Sequence, residues 1–313
     1  IRMDKKRIEV IIPTYKPGNQ LEELLGRLEK QTLLPDRIHI VDTRSGDFPE
    51  GLETAEQLGE SGIPLKVTHI EKENFDHGGT RAMAADMSQA DILVFMTQDA
   101  LPANPYLLQN LCKAFEGEKI GAAYARQLPK KDCRLLERYT RSFNYPKESK
   151  IKSQEDLPKL GIKTYFCSNV CAAYRKDVYD SLGGFEERTI FNEDMILAGK
   201  IIQSGYRIAY AADAEVFHSH NYSCKQQFKR NFDLAVSQAE HPEIFEEIRS
   251  ENEGIRLVKT TAGYLFKIRK PWLLSSLFFQ SASKYLGYRM GKRYQKLPKW
   301  LIRKCTMNRE YWS

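Results

Sequence analysis

Residues Asp91–Leu101 read DILVFMTQDAL, a short unbroken run of apolar residues that leads directly into an acidic one. A run of this length and composition is typical of a parallel strand that is covered on both faces of a sheet. Pro102 and Pro105 prevent the strand from continuing. In an open α/β sheet, ligands bind beyond the carboxyl ends of the strands, so Asp99 is placed where a substrate or a metal ion would lie. The alternative explanation is an acidic loop residue that faces water.

The segments on either side of this strand alternate between strand and helix patterns. The predicted strands are Arg7–Pro13, Arg37–Val41, Leu65–Ile70, Gly121–Ala125, Tyr206–Tyr210 and Glu215–Phe217. The predicted helices are Asn19–Lys30, Leu52–Leu58, Gly78–Ser88, Pro105–Phe115, Glu193–Gln203 and Lys225–Glu240. Strands separated by helices at this spacing predict an α/β fold with right-handed crossovers and a mainly parallel sheet. Residues 129–165 interrupt the alternation and indicate a mobile or partner-facing insertion.

Charge is distributed unevenly along the 313 residues. Residues 255–313 contain 14 Lys or Arg and one acid, Glu310, so this segment carries +13 and the remainder carries −6 of the net +7. The six cysteines include no Cys-x-x-Cys pair, which fits a reducing cytosol better than a disulfide framework or a zinc cluster. No stretch approaches the ~18 to 20 apolar residues that span a bilayer, and the first residues contain no signal-peptide core.

The basic segment also interleaves aromatic and aliphatic residues with its cations, as in Leu265-Phe266, Trp272-Leu273-Leu274, Leu277-Phe278-Phe279 and Trp300-Leu301-Ile302. Such a pattern on amphipathic helices suits the surface of an anionic membrane, and we expect that partner and no nucleic acid. Helices packed against the body of the protein, or against another subunit in a homo-oligomer, are the alternative.

Polar residues follow the first two predicted strands, at the same edge of the sheet as Asp99. Pro13-Thr14-Tyr15 ends the first strand, and Asp42 begins the run Asp42–Asp47 after the second. A hydroxyl and a carboxylate there can read a pyrimidine base, because the carboxylate accepts from the ring N3–H. Turn chemistry is the alternative. No G-x-G-x-x-G follows the first strand and no G-x-x-x-x-G-K-[ST] occurs, which argues against a dinucleotide oxidoreductase and a P-loop enzyme.

The segment Asn74–Arg81, NFDHGGTR, places two glycines at a predicted helix start. Glycines let the backbone approach a ligand closely, and the free N–H groups favour an anion. Arg81 adds a charged fork one turn later. A plain helix N-terminus with a surface arginine is the alternative.

Further carboxylates and histidines follow in the second half of the chain. Glu193 and Asp194 open a predicted helix, where the dipole stabilises them, and a carboxylate there can serve as general base for a hydroxyl. His218 and His220 follow the last predicted strand. Residues two apart on an extended segment point to opposite sides of the chain, so we expect only one histidine to reach a metal ion held by Asp99.

In order and spacing, these pieces resemble the inverting family 2 glycosyltransferases with the GT-A fold. The matching stretches are VIIPTY (Val10–Tyr15), IVDTRSGD (Ile40–Asp47), TQDALP (Thr97–Pro102), GGFEE (Gly183–Glu187), NEDMILAGK (Asn192–Lys200) and FHSH (Phe217–His220). FDHGGTR (Phe75–Arg81) and HSHNY (His218–Tyr222) resemble, more narrowly, the bacterial rhamnosyltransferases of that family, which use dTDP-L-rhamnose to build cell-surface polysaccharides.

The resemblance implies roles for individual residues. Thr14 and Asp42 hold the thymine, and Asp194, with Glu193 beside it, is the catalytic base. The sugar-nucleotide site comprises Pro13, Thr14, Tyr15, Asp42, Ser45, His77, Gly78, Arg81, Gln98 and Asp99. Asp99 matches the last acid of the family's metal motif, and His218, with His220 as second choice, matches the C-terminal metal-side histidine. Thr97 replaces the first acid of that motif, which leaves one carboxylate, waters and imidazole for Mg²⁺ or Mn²⁺.

These assignments predict a GT-A glycosyltransferase domain over residues 1–254, with a nucleotide-binding part near 1–125 and an acceptor part near 126–254, and a basic helical tail over 255–313. The expected reaction moves L-rhamnose from dTDP-β-L-rhamnose onto a lipid-linked or growing polysaccharide, at the inner face of a bacterial cell membrane. A nucleotidyltransferase and a non-catalytic membrane adaptor with the same fold are the competing hypotheses.

Overall fold

The computed structural model describes residues 6–59, 61–246 and 251–312. Its strands are β1 (Ile8–Tyr15), β2 (Arg37–Thr43), β3 (Gln57–Leu58), β4 (Ile63–Ile70), β5 (Ile92–Met96), β6 (Leu101–Pro102), β7 (Ile120–Leu128), β8 (Lys150–Lys152), β9 (Cys171–Arg175) and β10 (Arg207–Phe217). Its helices are α1 (Gly18–Leu28), α2 (Glu50–Glu53), α3 (Gly79–Asp86), α4 (Leu107–Lys113), α5 (Leu135–Asn144), α6 (Leu157–Leu160), α7 (Lys176–Ser181), α8 (Glu193–Gln203), α9 (Cys224–Glu240), α10 (Pro242–Phe245), α11 (Glu251–Lys267), α12 (Leu274–Gly291) and α13 (Lys299–Cys305).

The strands form one sheet in the order β3-β4-β2-β1-β5-β9-β7-β10-β6, and β8 also pairs with β10. The four strands β4, β2, β1 and β5 are parallel neighbours, as are β7 and β10. This arrangement confirms the predicted α/β fold with a mostly parallel sheet. β9 lies antiparallel between β5 and β7, a reversal that apolar patterning cannot reveal because the pattern is the same in both directions.

The central strands are buried because both faces of the sheet are covered. All five residues of β5 are buried, and so are Val10, Ile11 and Ile12 of β1. One face packs against α1, whose leucines at helical spacing are all buried. The other face carries an aromatic cluster around Phe95, with Tyr174 and Phe185 in edge-to-face contact. This packing fixes the strand ends from which the polar residues project.

Two local predictions of helices and strands differ from the structure. The predicted helix Leu52–Leu58 is the short helix α2 followed by β3, which adds a strand to the sheet edge. The two strands predicted at Tyr206–Tyr210 and Glu215–Phe217 are one strand, β10, with a register shift between Ala211 and Glu215.

Residues 129–165 do not interrupt the fold as predicted, and whether they face a partner stays a prediction. They contain α5, β8 and α6, and β8 pairs with β10 inside the sheet. Helix α5 packs on the C-terminal helices, where the rings of Tyr139 and Tyr264 stack 4.5 Å apart. The polar composition misled the prediction because this segment covers the edge of the fold rather than its centre.

The C-terminal helices are packed on the body through α9. Glycines 287 and 291 of α12 lie so close to α9 that a Cβ on either would overlap a backbone oxygen, of Phe228 and Phe232 respectively. On α13, Ile302 packs into the same apolar cluster as Phe232. The predicted domain boundary at residue 254 falls inside α11. Among the helices that the structure describes, none is long and apolar enough to cross a membrane.

Candidate active site

The ends of β1, β2 and β4 bring together a buried polar group. Thr14 Oγ1 donates a hydrogen bond of 2.9 Å to Asp42 Oδ1, and both residues are buried. His69 Nδ1, at the end of β4, lies 3.2 Å from Asp42 Oδ2, while its Nε2 lies 3.0 Å from Glu53. The predicted pair Thr14–Asp42 is therefore in contact. His69 was missed because a single histidine near a strand end carries no local signature.

Gln98 connects the ends of β1 and β5. Its side-chain oxygen accepts from the backbone N–H of Tyr15 at 2.8 Å, and its amide nitrogen donates to the Tyr15 carbonyl at 3.0 Å. Gln98 thus holds the chain just beyond Pro13 and Thr14, and the Tyr15 ring is exposed. In the loop after β2, the buried hydroxyl of Ser45 has no hydrogen-bond partner in the described part of the chain.

Asp99 lies at the centre of a second polar group. One carboxylate oxygen, Oδ1, accepts a hydrogen bond of 2.9 Å from Thr97. The other, Oδ2, lies 3.4 Å from His218 Nε2, 3.3 Å from His220 Nε2 and 3.7 Å from Lys130 Nζ. The carboxylate and the two imidazoles offer three ligand atoms within 4.8 Å of one another.

The expectation that only one histidine reaches Asp99 is wrong. Strand β10 ends at Phe217, so residues 218–220 are not held in an extended strand and the alternation of side chains does not apply to them. The two rings meet edge to face, with centroids 4.6 Å apart. His218 is buried, whereas His220 is more exposed and stacks on Tyr222.

The orientation of His218 is fixed by a residue that the sequence did not single out. Arg141 can only donate a hydrogen bond, so the Gln127 atom that it contacts must be the side-chain oxygen, Oε1. The same oxygen lies 2.9 Å from His218 Nδ1. His218 therefore donates through Nδ1, and its Nε2 directs a lone pair toward Asp99. Burial lowers the pKa of His218 to about 3, so the ring stays neutral.

A lone pair and a carboxylate oxygen 3.4 Å apart repel each other unless a cation lies between them. One carboxylate and two imidazoles are suitable ligands for Mn²⁺, which accepts nitrogen, and Mg²⁺ would rely more on water. Imidazoles that bind a metal usually donate their second N–H to an oxygen, as His218 does here to Gln127. The residues around Asp99 therefore fit a divalent cation.

Asp194 is held in a separate network at the start of α8. Its Oδ1 accepts from the N–H of Met195 at 2.8 Å and its Oδ2 from the N–H of Asn169 at 3.0 Å. The Asn169 side chain donates to Glu193 at 3.1 Å and accepts from Tyr174 at 2.9 Å. Burial, reinforced by the neighbouring charge of Glu193, raises the pKa of Asp194 to about 7. A carboxylate with this pKa can take up a proton at neutral pH.

A single segment, residues 168–170, joins the two networks. Ser168 Oγ accepts from Gln127 at 3.0 Å, the N–H of Asn169 donates to Asp194, and the carbonyl of Val170 accepts from the N–H of Thr97 at 3.1 Å. Asp99 and Asp194 are therefore tied to adjacent residues although they lie far apart in the sequence. Sequence reasoning missed Gln127, Arg141 and Asn169 because an isolated amide or arginine carries no local signature.

The contacts of Gly78 and Gly79 differ from the predicted ones, in which both glycines bring the backbone close to a bound anion. A Cβ on Gly78 would overlap the backbone oxygen of Glu186, so this glycine permits close packing of two chain segments. The N–H of Gly79 is already bound to Asp76. Arg81 is buried, donates to the carbonyl of His77 at 2.7 Å, and lies 3.4 Å from Glu193. Burial also lowers the pKa of His77. The contacts of Arg81 within the protein orient the Glu193–Asp194 pair.

Comparison with known proteins agrees with this architecture. Residues 9–183 match the model of glycosyl transferase family 2. The chain is 40% identical over 309 residues to the O-antigen chain rhamnosyltransferase RfbN of Salmonella typhimurium, covering 98% of this chain and 96% of the relative. It is 39% identical over 307 residues to the O-antigen chain rhamnosyltransferase WbaN of Salmonella anatum, covering 97% and 95% respectively.

Solved structures share the fold at low sequence identity. A mannosyltransferase from Pyrobaculum calidifontis, in complex with GDP-Man and Mn²⁺, superposes with a TM-score of 0.63 at 17% identity, covering 94% of this chain and 89% of that one. TarS residues 1–349 from S. aureus, in complex with UDP-GlcNAc, superposes with a TM-score of 0.53 at 16% identity, covering 93% and 91%. The predicted GT-A fold is thereby confirmed, and the chain belongs to glycosyltransferase family 2.

Proposed function

We propose that this glycosyltransferase moves L-rhamnose from dTDP-β-L-rhamnose, with inversion, onto a hydroxyl of a lipid-linked or growing cell-surface polysaccharide. The observation that carries the proposal is that one segment, residues 168–170, bonds Asp194 directly and bonds Thr97 and Gln127, which support the group around Asp99. The names of the two relatives that match nearly the whole chain favour rhamnose as the donor sugar.

Asp194 is the general base in this proposal. The N–H groups of Asn169 and Met195 each hold one of its oxygens, which fixes the direction of the carboxylate. It removes the proton of the acceptor hydroxyl as that oxygen attacks the anomeric carbon from the side opposite the diphosphate. Glu193 keeps its partners Arg81 and Asn169 and tunes Asp194 by its charge.

The donor base binds at the ends of β1, β2 and β4. A carboxylate oxygen has two acceptor positions, so Asp42 can accept the N3–H of thymine while it keeps Thr14 and His69. The unpartnered Ser45 hydroxyl provides a further polar contact at this edge.

Asp99, His218 and His220 would hold a divalent cation, Mg²⁺ or Mn²⁺. When bound, such an ion neutralises charge on the leaving diphosphate as a Lewis acid. His220 supplies the additional ligand that the substitution of Thr97 for the usual first acid removes, and Thr97 instead orients Asp99 through its hydroxyl.

Product analysis tests the reaction. The purified protein is incubated with dTDP-β-L-rhamnose, Mn²⁺ and a lipid-linked acceptor, and products are identified by mass spectrometry and NMR. We expect dTDP and an α-L-rhamnoside. Release of pyrophosphate would indicate a nucleotidyltransferase, and no donor turnover under any metal condition would indicate an adaptor without catalysis. Preference for another sugar nucleotide in a thermal-shift panel would contradict the choice of rhamnose.

The C-terminal tail provides the attachment to the inner face of the membrane in this proposal. Trp272 lies in the turn between α11 and α12, near the exposed cations Lys267 and Lys270, and Phe278 and Phe279 lie in the first half of α12. These three rings are 66%, 65% and 61% exposed. Aromatic side chains flanked by cations bind at the boundary of an anionic bilayer.

Flotation with liposomes tests the attachment. We expect the protein to float with liposomes that contain anionic lipid and not with neutral ones, and the double variant Phe278→Ser/Phe279→Ser to lose most of this binding. Tyr106→Ser, at an exposed aromatic on α4's N-terminal side, is the matched control. Unchanged flotation of the double variant would contradict attachment through these rings. A dimer of the unchanged protein that dissociates in the double variant would indicate that this surface binds another copy of the chain.

A further inference from the structure

Arg230, on α9, is held by two aromatic rings. Its guanidinium carbon lies 4.6 Å from the centroid of the Phe191 ring and 5.6 Å from the centroid of the Tyr222 ring. The attraction between a cation and the face of a ring needs no oxygen partner, so the N–H groups of the guanidinium stay available to a ligand. The two rings thus hold Arg230 in place without using its hydrogen-bond donors on the protein's own oxygens.

The donors of Arg230 have no partner in the chain as the structure describes it. Among residues 6–59, 61–246 and 251–312, none forms an ion pair or a hydrogen bond with the Arg230 side chain. The side chain is only partly exposed, so water does not surround all of it. A guanidinium carries several N–H donors on one rigid plane and has no acceptor. Arg230 is therefore suited to binding oxygen atoms of a ligand.

On one side, Tyr222 connects Arg230 to the group around Asp99. The Tyr222 ring stacks on His220 with ring centroids 5.0 Å apart, and His220 Nε2 lies 3.3 Å from Asp99 Oδ2. Burial lowers the pKa of His220, and the charge of Arg230 acts in the same direction. Arg230 is therefore close enough to this group to act on it through space.

On the other side, Phe191 connects Arg230 to the start of α8, where Asp194 lies. Phe191 precedes Asp194 by three residues, and its backbone oxygen accepts a hydrogen bond of 2.6 Å from Ser237 on α9. The side chain of Asn192 donates a second bond, of 3.2 Å, to a backbone oxygen of α9. These bonds fix the position of α9, and with it Arg230, relative to the residues that lead into Asp194.

We propose that Arg230 binds the saccharide acceptor by donating hydrogen bonds to two adjacent hydroxyl oxygens of its terminal sugar. A guanidinium presents paired N–H groups that match two neighbouring oxygens. The flanking rings of Phe191 and Tyr222 offer an apolar surface to the C–H face of a sugar, and binding sites commonly combine such rings with a few polar groups. The inference rests on the proposed function, in which an acceptor hydroxyl reaches Asp194 while the donor base lies at the ends of β1, β2 and β4.

Saturation-transfer NMR tests the proposal on the full-length chain with dTDP present, and the probes are the methyl glycosides of glucose, galactose and mannose. We expect at least one glycoside to bind, and Arg230→Met to weaken its binding by about 10- to 100-fold, as for the loss of hydrogen bonds to a charged group. Arg230→Lys should also lose most of the affinity, because an ammonium group does not reproduce the paired donors. Lys225→Met, at an exposed cation on the same helix, is the matched control and should bind like the unchanged protein.

Deoxy analogues of the glycoside that binds identify the hydroxyls involved. Removing a hydroxyl that Arg230 contacts should weaken binding to the unchanged protein and have little further effect in Arg230→Met, because the two changes remove the same interaction. The dissociation constant of dTDP, measured by calorimetry, should be the same in all variants. Melting temperatures identify a variant that fails to fold, and Arg230→Gln then takes the place of Arg230→Met.

Three results would overturn the proposal. The first is equal glycoside affinity in Arg230→Met and Lys225→Met, or binding of no glycoside by the unchanged protein. The second is a loss of dTDP affinity in Arg230→Met as large as the loss of glycoside affinity, since Arg230 would then belong to the donor site. The third is full affinity in Arg230→Lys, which would show that only the positive charge matters. None of these measurements uses the donor sugar, so they fail or succeed separately from the proposed reaction, which product analysis decides.

Discussion

Residues 168–170 bond Asp194 directly and Asp99 only through Thr97, and the surroundings of the two carboxylates act on their protons in opposite directions. Burial alone would raise the pKa of Asp99, but the positive charge that His218 and His220 carry in their protonated forms, together with Lys130, outweighs it and the net shift is downward. Asp194 is also buried, its charged neighbour is Glu193, and its pKa rises. On our proposal, these opposite shifts suit the two carboxylates to different tasks, Asp99 to hold a cation and Asp194 to accept a proton.

The largest effect that we expect from this difference is the loss of turnover when Asp194 is replaced. Asp194→Asn removes the base and keeps the volume of the side chain, so we expect kcat to fall by ~10²- to 10⁴-fold. The dissociation constant of dTDP should change little, because Asp194 contacts no group of the nucleotide in our proposal. Steady-state kinetics and calorimetry measure the two quantities, with Asp213→Asn, at an exposed aspartate, as control. Near-normal turnover would remove the assignment.

A second experiment tests whether the group around Asp99 binds a metal ion, by replacing Gln127. Gln127→Leu removes the acceptor that orients His218, and we expect Mn²⁺ affinity, measured by electron paramagnetic resonance, to fall by about 10- to 100-fold. Gln154→Leu, at an exposed glutamine, should bind Mn²⁺ normally. If the two variants bind the ion equally well, the orientation of His218 does not govern a metal site.

The pH dependence of kcat should report the raised pKa of Asp194. A base acts only when deprotonated, so the rate should rise with pH and reach half of its plateau near pH 7. Glu193→Gln removes the neighbouring negative charge and should move this midpoint to lower pH while the plateau falls less than in Asp194→Asn. A midpoint that stays in place would show that Glu193 does not tune the base.

The smallest predicted effect is on stability. The folded protein disfavours the charged form of Asp194, since its pKa is raised above the ordinary value near 3.8. Its charge therefore destabilises the fold increasingly as pH rises from about 4 to about 7, and the cost is constant above that range. The melting temperature of Asp194→Asn minus that of the unchanged protein should therefore increase from pH 5 to pH 8. Each kcal/mol by which the charge destabilises the unchanged protein corresponds to about 2 to 4 °C of this difference. A pH-independent difference would contradict the raised pKa.

The parts of this molecule that follow local rules were predictable. The apolar run before Asp99, the strand ends at Thr14 and Asp42, and the start of α8 at Glu193 all follow from periodicity and strand-ending residues. These features predicted the strand and helix ends from which the principal carboxylates project.

Features that depend on long-range packing were not predictable. Gln127 and Asn169 act through partners that are far away in the sequence, and the alternation rule failed at His220 because the strand ends before it. The glycines of the NFDHGGTR segment were correctly placed at a helix start, but Gly78 permits close chain packing, which is visible only when the loop near Glu186 is known.

The glycine contacts between α12 and α9 also determine how this enzyme can be dissected. Cutting the chain near residue 254 would strip two helices from α9 and leave Phe232 and Val236, now completely covered, facing water. Such newly opened apolar surface favours aggregation. Deletion mutants of this protein would therefore confound loss of surface attachment with damage to the catalytic body, and single side-chain replacements are the sounder genetic tool.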